Sequence, residues 1–172
     1  MPILIGFGFL IAAALLLAIK ADKHAPKMGG ELTPIPIVVE ATLDDKIIYA
    51  AKKYSVDWRL VKAVAMTESS LDPNAKNPND PSWGLMGITP AAAEDYGLVK
   101  DHYNPTDAEI AMLREPQTNL NIGAWLLAKL LKRYPWDGAI QAYNEGPANY
   151  DAGRRVPEYL AKVKRHYAEL VK

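Results

Sequence analysis

Apolar positions divide the chain into three unlike stretches. From Ile3 to Ile19 they run without interruption, a little short of the ~20 residues that cross a bilayer untilted. From Ala25 to Ile37 proline and glycine break them up, as in an extended tether. From Leu43 onward they recur at helical spacing. Thr42-Leu43-Asp44-Asp45 has the form of a capping box with Asp in place of Glu, and Ile47, Ile48, Ala51 and Tyr54 continue it as a first helix. Asp57 caps a second helix from Trp58 to about Ser69, closed by Leu71-Asp72-Pro73 because the residue before a proline avoids helix. Thr89-Pro90 opens a short helix that Gly97 stops. Thr106-Asp107-Ala108-Glu109 is a second capping box, and its helix ends near Pro116. The longest helix runs from about Gln117 to Tyr134, apolar on much of its circumference, with Gly123 inside it predicting close approach of another backbone. Asp137 is read as the cap of a further helix ending at Asn144-Glu145-Gly146-Pro147. The last helix starts around Pro157 and lines up Tyr159, Val163, Tyr167 and Leu170, with Lys162, Lys164 and Arg165 on its solvated faces. No stretch alternates with a period of two, so the pattern predicts an all-α domain.

One helix carries its apolar stripe onto an ionisable group. Trp58, Val61 and Ala65 lead at helical spacing to Glu68, just ahead of the stop at Pro73. Burial against apolar neighbours disfavours the anion, which predicts a raised pKa and a proton to donate near neutral pH. The alternative is a helix-terminal Glu turned to solvent. Between Asn74 and Trp83 lies a polar loop, and Asp72 beside it and Asp80 within it read as turn-formers. Gly84 and Gly87 then bracket large apolar residues and permit close backbone approach to substrate or to another helix.

Composition narrows the chemistry. The chain of 172 residues has zero formal net charge and no long basic run, so it lacks the footprint of a nucleic-acid binder. Without cysteine there is no thiolate nucleophile and no Cys-based zinc site. His24, His102 and His166 are too far apart to suggest a metal site. No metal and no cofactor are predicted.

The expected organisation is a membrane anchor over 1–20, a linker over 21–41 and one folded domain over 42–172. A cleaved signal peptide is the alternative, but no charge precedes the apolar run and no small-x-small site follows it. Lys20, Lys23 and Lys27 pull their flank toward the cytoplasm, a bias that a long following domain overrides.

Three blocks in one order resemble the soluble lytic transglycosylases, within the lysozyme-like superfamily that includes the goose-type lysozymes. Glu68-Ser69-Ser70-Leu71-Asp72-Pro73-Asn74-Ala75 is similar to that family's Glu-Ser-x-x-x-Pro-x-Ala. Gly84-Leu85-Met86-Gly87 is similar to its Gly-Leu-Met-Gln, and Ala142-Tyr143-Asn144-Glu145-Gly146-Pro147 to its Ala-Tyr-Asn-Ala-Gly-Pro. The run from Pro157 to Val163 and the segment Asn121 to Leu127 add to the match, which covers about Leu43 to Leu170. Two positions depart from it. Gly87 replaces the family glutamine and removes a side-chain donor from the groove. Glu145 replaces a small residue and is read as facing solvent, the alternative being that its charge raises the pKa of Glu68.

The resemblance implies cleavage of the β-1,4 bond between N-acetylmuramic acid and N-acetylglucosamine in peptidoglycan, leaving a 1,6-anhydro end. Glu68 would be the single acid and base, assisted by the substrate's own N-acetyl group. Ser82, Gly84, Met86, Tyr143, Asn144 and Tyr159 would line the groove, with Tyr143 bonding Glu68 or the N-acetyl group and Asn144 orienting substrate. A single carboxyl matches this chemistry, since ordinary glycosidases place two across the bond. A hydrolytic muramidase and a non-catalytic peptidoglycan-binding or virion module are the alternatives. The expected partners are glycan strands and, through the amino-terminal helix, a membrane. The domain is expected on the peptidoglycan side, as a bacterial enzyme or a phage component, with the oligomeric state open.

Overall fold

A computed structural model describes residues 40–78 and 80–172; the apolar run and the tether, residues 1–39, lie outside the described residues. Capping chemistry sets where the first helices begin. Thr42 Oγ1 accepts from Asp45 N at 3.2 Å and Asp45 Oδ2 accepts from Thr42 N at 2.9 Å, opening α1, Leu43–Tyr54. Asp57 accepts from Arg59 N at 2.9 Å and opens α2, Trp58–Ser69. Thr89 caps α3, Pro90–Tyr96, and the Thr106/Glu109 box opens α4, Asp107–Arg114. Glu115 alone separates α4 from α5, Pro116–Arg133, and its carboxylate takes the amides of Gln117 and Thr118 at 3.0 and 2.6 Å. After these come α6, Trp136–Glu145, α7, Pro147–Asp151, and α8, Pro157–Leu170. The five-residue α7 is too short to leave a periodic signal.

The core is built around α5, which packs on α1, α4 and α6, while α2 packs on α8. Leu120, Ile122, Ala124 and Leu127 of α5 are fully buried with Val61, Val64 and Ala65 of α2. Among the described residues no regular strand forms; Trp83 alone makes isolated antiparallel bridges, to Lys76 and to Ile88. Also among the described residues, no helix is long and apolar enough to cross a membrane.

Three expectations are corrected. Asp137 does not cap α6: the helix begins one residue earlier, at Trp136 behind Pro135, and Asp137 Oδ2 accepts from Lys164 Nζ at 2.6 Å instead. Trp58 is not on the buried stripe, because it stands at the first position of α2, at the rim of the core, and is 37% exposed. Gly123 is approached first by a side chain where a backbone was expected: the nearest atoms to an added Cβ are those of the Met86 thioether.

Candidate active site

Glu68 occupies the last turn of α2, which breaks off at once because Ser70 and Leu71 adopt left-handed backbone, φ 56° and 66°. The helix end is tied down by Ser69, whose hydroxyl donates to Leu85 O at 2.8 Å. Glu68 is partly accessible along its length while its carboxyl is largely desolvated. Burial is the main cause that pushes the group up to about 7; the Asp80 charge adds to the rise and the Tyr159 hydrogen bond opposes it. That hydroxyl, from the first turn of α8, donates to Glu68 Oε1 at 2.6 Å.

Tyr143 lies on α6 and does not bond the carboxyl. Its hydroxyl donates to Met86 O at 2.9 Å, which ties α6 to the segment 83–88, while α8 packs on α2. Burial first, and then the neighbouring Glu68 charge, raise the pKa of Tyr143 and of Tyr159 well above the ordinary phenol value. Both stay protonated donors throughout the working pH range.

The Met86 side chain is fully buried, so the expectation that it lines the groove is corrected. Its backbone contributes instead, through the carbonyl that holds Tyr143 and an amide that donates to Asn119 Oδ1 at 2.8 Å. Asn119 is the residue that sequence reasoning missed. Fully buried on α5, it also donates from Nδ2 to Trp83 O at 2.8 Å and to Leu113 O at 2.7 Å. All of its amide hydrogens are used, and the segment 83–86 is fixed against α5. The available signal was an amide beside the apolar run Leu120 to Leu131.

Glu68 is the shared wall of two hollows. One, of about 290 Å³, is bounded by Ser82, Gly84, Gly87 and the loop 75–78. The other, of about 490 Å³, is bounded by Thr67, Tyr159, Asn144, Arg155 and Lys162. Asn144 is exposed and also borders a third hollow, of about 540 Å³, whose walls include Tyr143, Asp80, Lys129 and Glu145. Ser82 and Gly84 thus border one hollow beside Glu68, Tyr159 and Asn144 border the other, and Tyr143 borders the third, which Glu68 does not line.

Two acidic readings change. Asp72 is a turn-former, accepting from Asn74 N at 2.8 Å. Asp80 is more than that, since its charge reaches Glu68; a loop carboxylate without periodic context gives no sequence signal of this. Glu145 is neither fully solvated nor the charge acting on Glu68; it lies 3.9 Å from Arg154.

Residues 45–163 match the model of the Transglycosylase SLT domain family. The chain belongs to this family. It is 38% identical over 93 residues to the "Membrane-bound lytic murein transglycosylase E" of Buchnera aphidicola subsp. Acyrthosiphon pisum, covering 53% of this chain and 40% of that protein. It is 33% identical over 118 residues to the "Transglycosylase" of Enterobacteria phage PRD1, covering 68% of this chain and 40% of the phage protein. The chain therefore spans less than half the length of these relatives. An X-ray structure of an inactive mutant of the lytic transglycosylase Slt from Pseudomonas aeruginosa superposes with a TM-score of 0.50 at 17% identity, over 69% of this chain and 20% of that one, and so shares the SLT fold.

Proposed function

We propose that the chain is a peptidoglycan lytic transglycosylase. The observation that carries this reading is one desolvated carboxyl, Glu68, protonated to a large extent at neutral pH and facing a groove with Tyr159 fixed on one of its oxygens. Family membership supports it, as do relatives named lytic murein transglycosylases. Glu68 gives its proton to the leaving oxygen of N-acetylglucosamine as the bond to muramyl C1 breaks. The substrate N-acetyl group stabilises the cation developing at C1. The muramyl C6 oxygen then bonds to C1, and its proton returns to Glu68, so no water is consumed. Tyr159 orients the carboxyl through both proton transfers, while Asn144, Ser82 and Gly84 border the glycan.

Mass spectrometry of muropeptides released from purified sacculi tests this. Anhydromuramoyl ends support it, and release of none overturns it. The second reading is hydrolysis, in which Asp80, whose charge adds to the rise at Glu68, would be the group that orients a water. Reducing ends without the anhydro ring would select that reading.

Residues 1–20 serve in this proposal as a membrane anchor and 21–41 as its tether, with the domain from 42 on the peptidoglycan side. The uninterrupted run from Ile3 to Ile19 supports it, together with relatives named membrane-bound. The phage relative supports delivery in a virion as the other route.

A further inference from the structure

Arg155 and Lys162 border the hollow of about 490 Å³ that Glu68 also lines, and neither meets a carboxylate among the described residues. Their neighbours in the chain do: Arg154 lies 3.9 Å from Glu145, and Lys164 Nζ donates to Asp137 Oδ2 at 2.6 Å. Glu158 borders the same hollow and pairs with neither cation. Apart from Glu68 itself, two positive charges there stand against one negative.

Arg155 is held in place without being neutralised. Its Nη1 donates to Tyr150 O and to Arg154 O, both at 2.7 Å, and its guanidinium lies over the Tyr150 ring, 4.0 Å from the centroid. Tyr150 packs edge-on against Tyr134, whose hydroxyl donates to Asp151. A guanidinium fixed in this way has little rotamer freedom left to lose on binding. These contacts use Nη1 alone. Nε and Nη2, whose N–H bonds point the same way, form a two-donor fork with no partner among the described residues. Such a fork takes a carboxylate through two parallel hydrogen bonds. Lys162, about one turn beyond Tyr159 on α8, adds a flexible point charge.

The sugar rings of peptidoglycan carry no charge that would answer this pair. Along a strand of alternating N-acetylglucosamine and N-acetylmuramic acid, carboxylates belong to the muramyl residue alone, on its free lactyl ether or on a peptide amide-linked to it. We propose that Arg155 and Lys162 bind a carboxylate carried by the lactyl substituent of a muramyl residue, so that the hollow beside Glu68 selects muramyl strands over uncharged ones. The proposal rests on the reading of the chain as a peptidoglycan enzyme and names the part of the substrate that this hollow takes. Because the two sugars alternate, fixing one substituent also sets the register of the strand, and with it which C1 faces Glu68.

The test measures binding by the full-length chain in detergent, on a Glu68→Gln background that holds strands without cleaving them. The probes are peptide-bearing strands, strands freed of peptide by an amidase, and chito-oligosaccharides of matched length. Arg155→Gln is expected to weaken binding of one or both muramyl strands about tenfold, and Lys162→Gln about threefold, with chito-oligosaccharide binding unchanged. Arg155→Lys keeps the charge without the fork and should recover part of the loss. Arg165→Gln, on α8 outside the three hollows, should leave all three probes unchanged. A loss confined to peptide-bearing strands assigns the carboxylate to the peptide, and a loss on peptide-free strands assigns it to the lactyl group; both support the proposal. Equal weakening of muramyl strands and chito-oligosaccharides would mean that Arg155 only braces the loop ahead of α8, which overturns it, as does no change on any probe. A parent chain that releases no muropeptides ends the enzymatic reading separately, while the binding comparison still decides the role of the two cations.

Discussion

Glu68 titrates near 7 because its carboxyl is desolvated at the end of α2, and the same desolvation costs folding free energy whenever the group is ionised. The folded value lies above the ordinary 4.5, so the folded chain binds this proton more tightly than the unfolded one. The resulting stability is complete below about 4.5 and is lost as pH rises through about 7. Glu68→Gln is therefore expected to be more stable than the parent at pH 8, by about 2 kcal/mol after allowance for water in the groove, and no more stable at pH 4. Denaturation at the two pH values checks this. The same variant should lose about a thousandfold in sacculus clearing, because the amide cannot donate the proton. Full activity in the folded variant would remove Glu68 from the mechanism. The Tyr159 hydroxyl holds the Glu68 pKa down, so Tyr159→Phe should move the upper limb of the pH–rate profile to higher pH. An unmoved limb would show that the bond does not form in the working enzyme.

At the scale of elements, the groove depends on how the segment 83–88 is fixed to α5. Asn119 supplies three buried hydrogen bonds to that segment and to the end of α4. Asn119→Leu leaves their partners unsatisfied and should cost about 3 kcal/mol, with a loss of activity in the protein that remains folded. Thr42→Ala is the matched comparison. It removes a capping box remote from the groove and should cost about 1 kcal/mol without changing kcat. Urea denaturation and turnover of the two variants separate stability from placement. Equal activity in both would mean that the wall of the groove does not need this anchor.

At the scale of the whole molecule the formal net charge is zero, while Arg155 and Lys162 place positive charge beside Glu68, so attraction of an anionic polymer would be local to that hollow. Under the proposed anchoring, the folded domain is delivered to the wall by residues ahead of it. Protease added outside spheroplasts that make the full-length chain should degrade the domain. Complete protection with the apolar run still attached would count against an anchored enzyme and for delivery by a phage particle or by cell lysis.

The helices were legible in the chain itself because their signals are local. The Thr42/Asp45 and Thr106/Glu109 boxes, the proline at 116 and Gly97 act within one turn of where they stand, so spacing alone locates α1, α4, α5 and the end of α3. Glu68 also stood out, because an ionisable group that continues an apolar stripe is visible as a pattern. Its partners were named only through the family resemblance, and their pairing was not legible. Tyr159 is 91 residues away and Tyr143 reaches Met86 across 57, so which hydroxyl takes the carboxyl and which the carbonyl depends on how α8 and α6 pack, a matter that periodicity does not encode. Asp80 likewise takes its importance from what the fold sets beside it. Local capping and periodicity determined the elements; only tertiary packing decided which groups share the space around one desolvated carboxyl, because desolvation and contact are properties of neighbours in space.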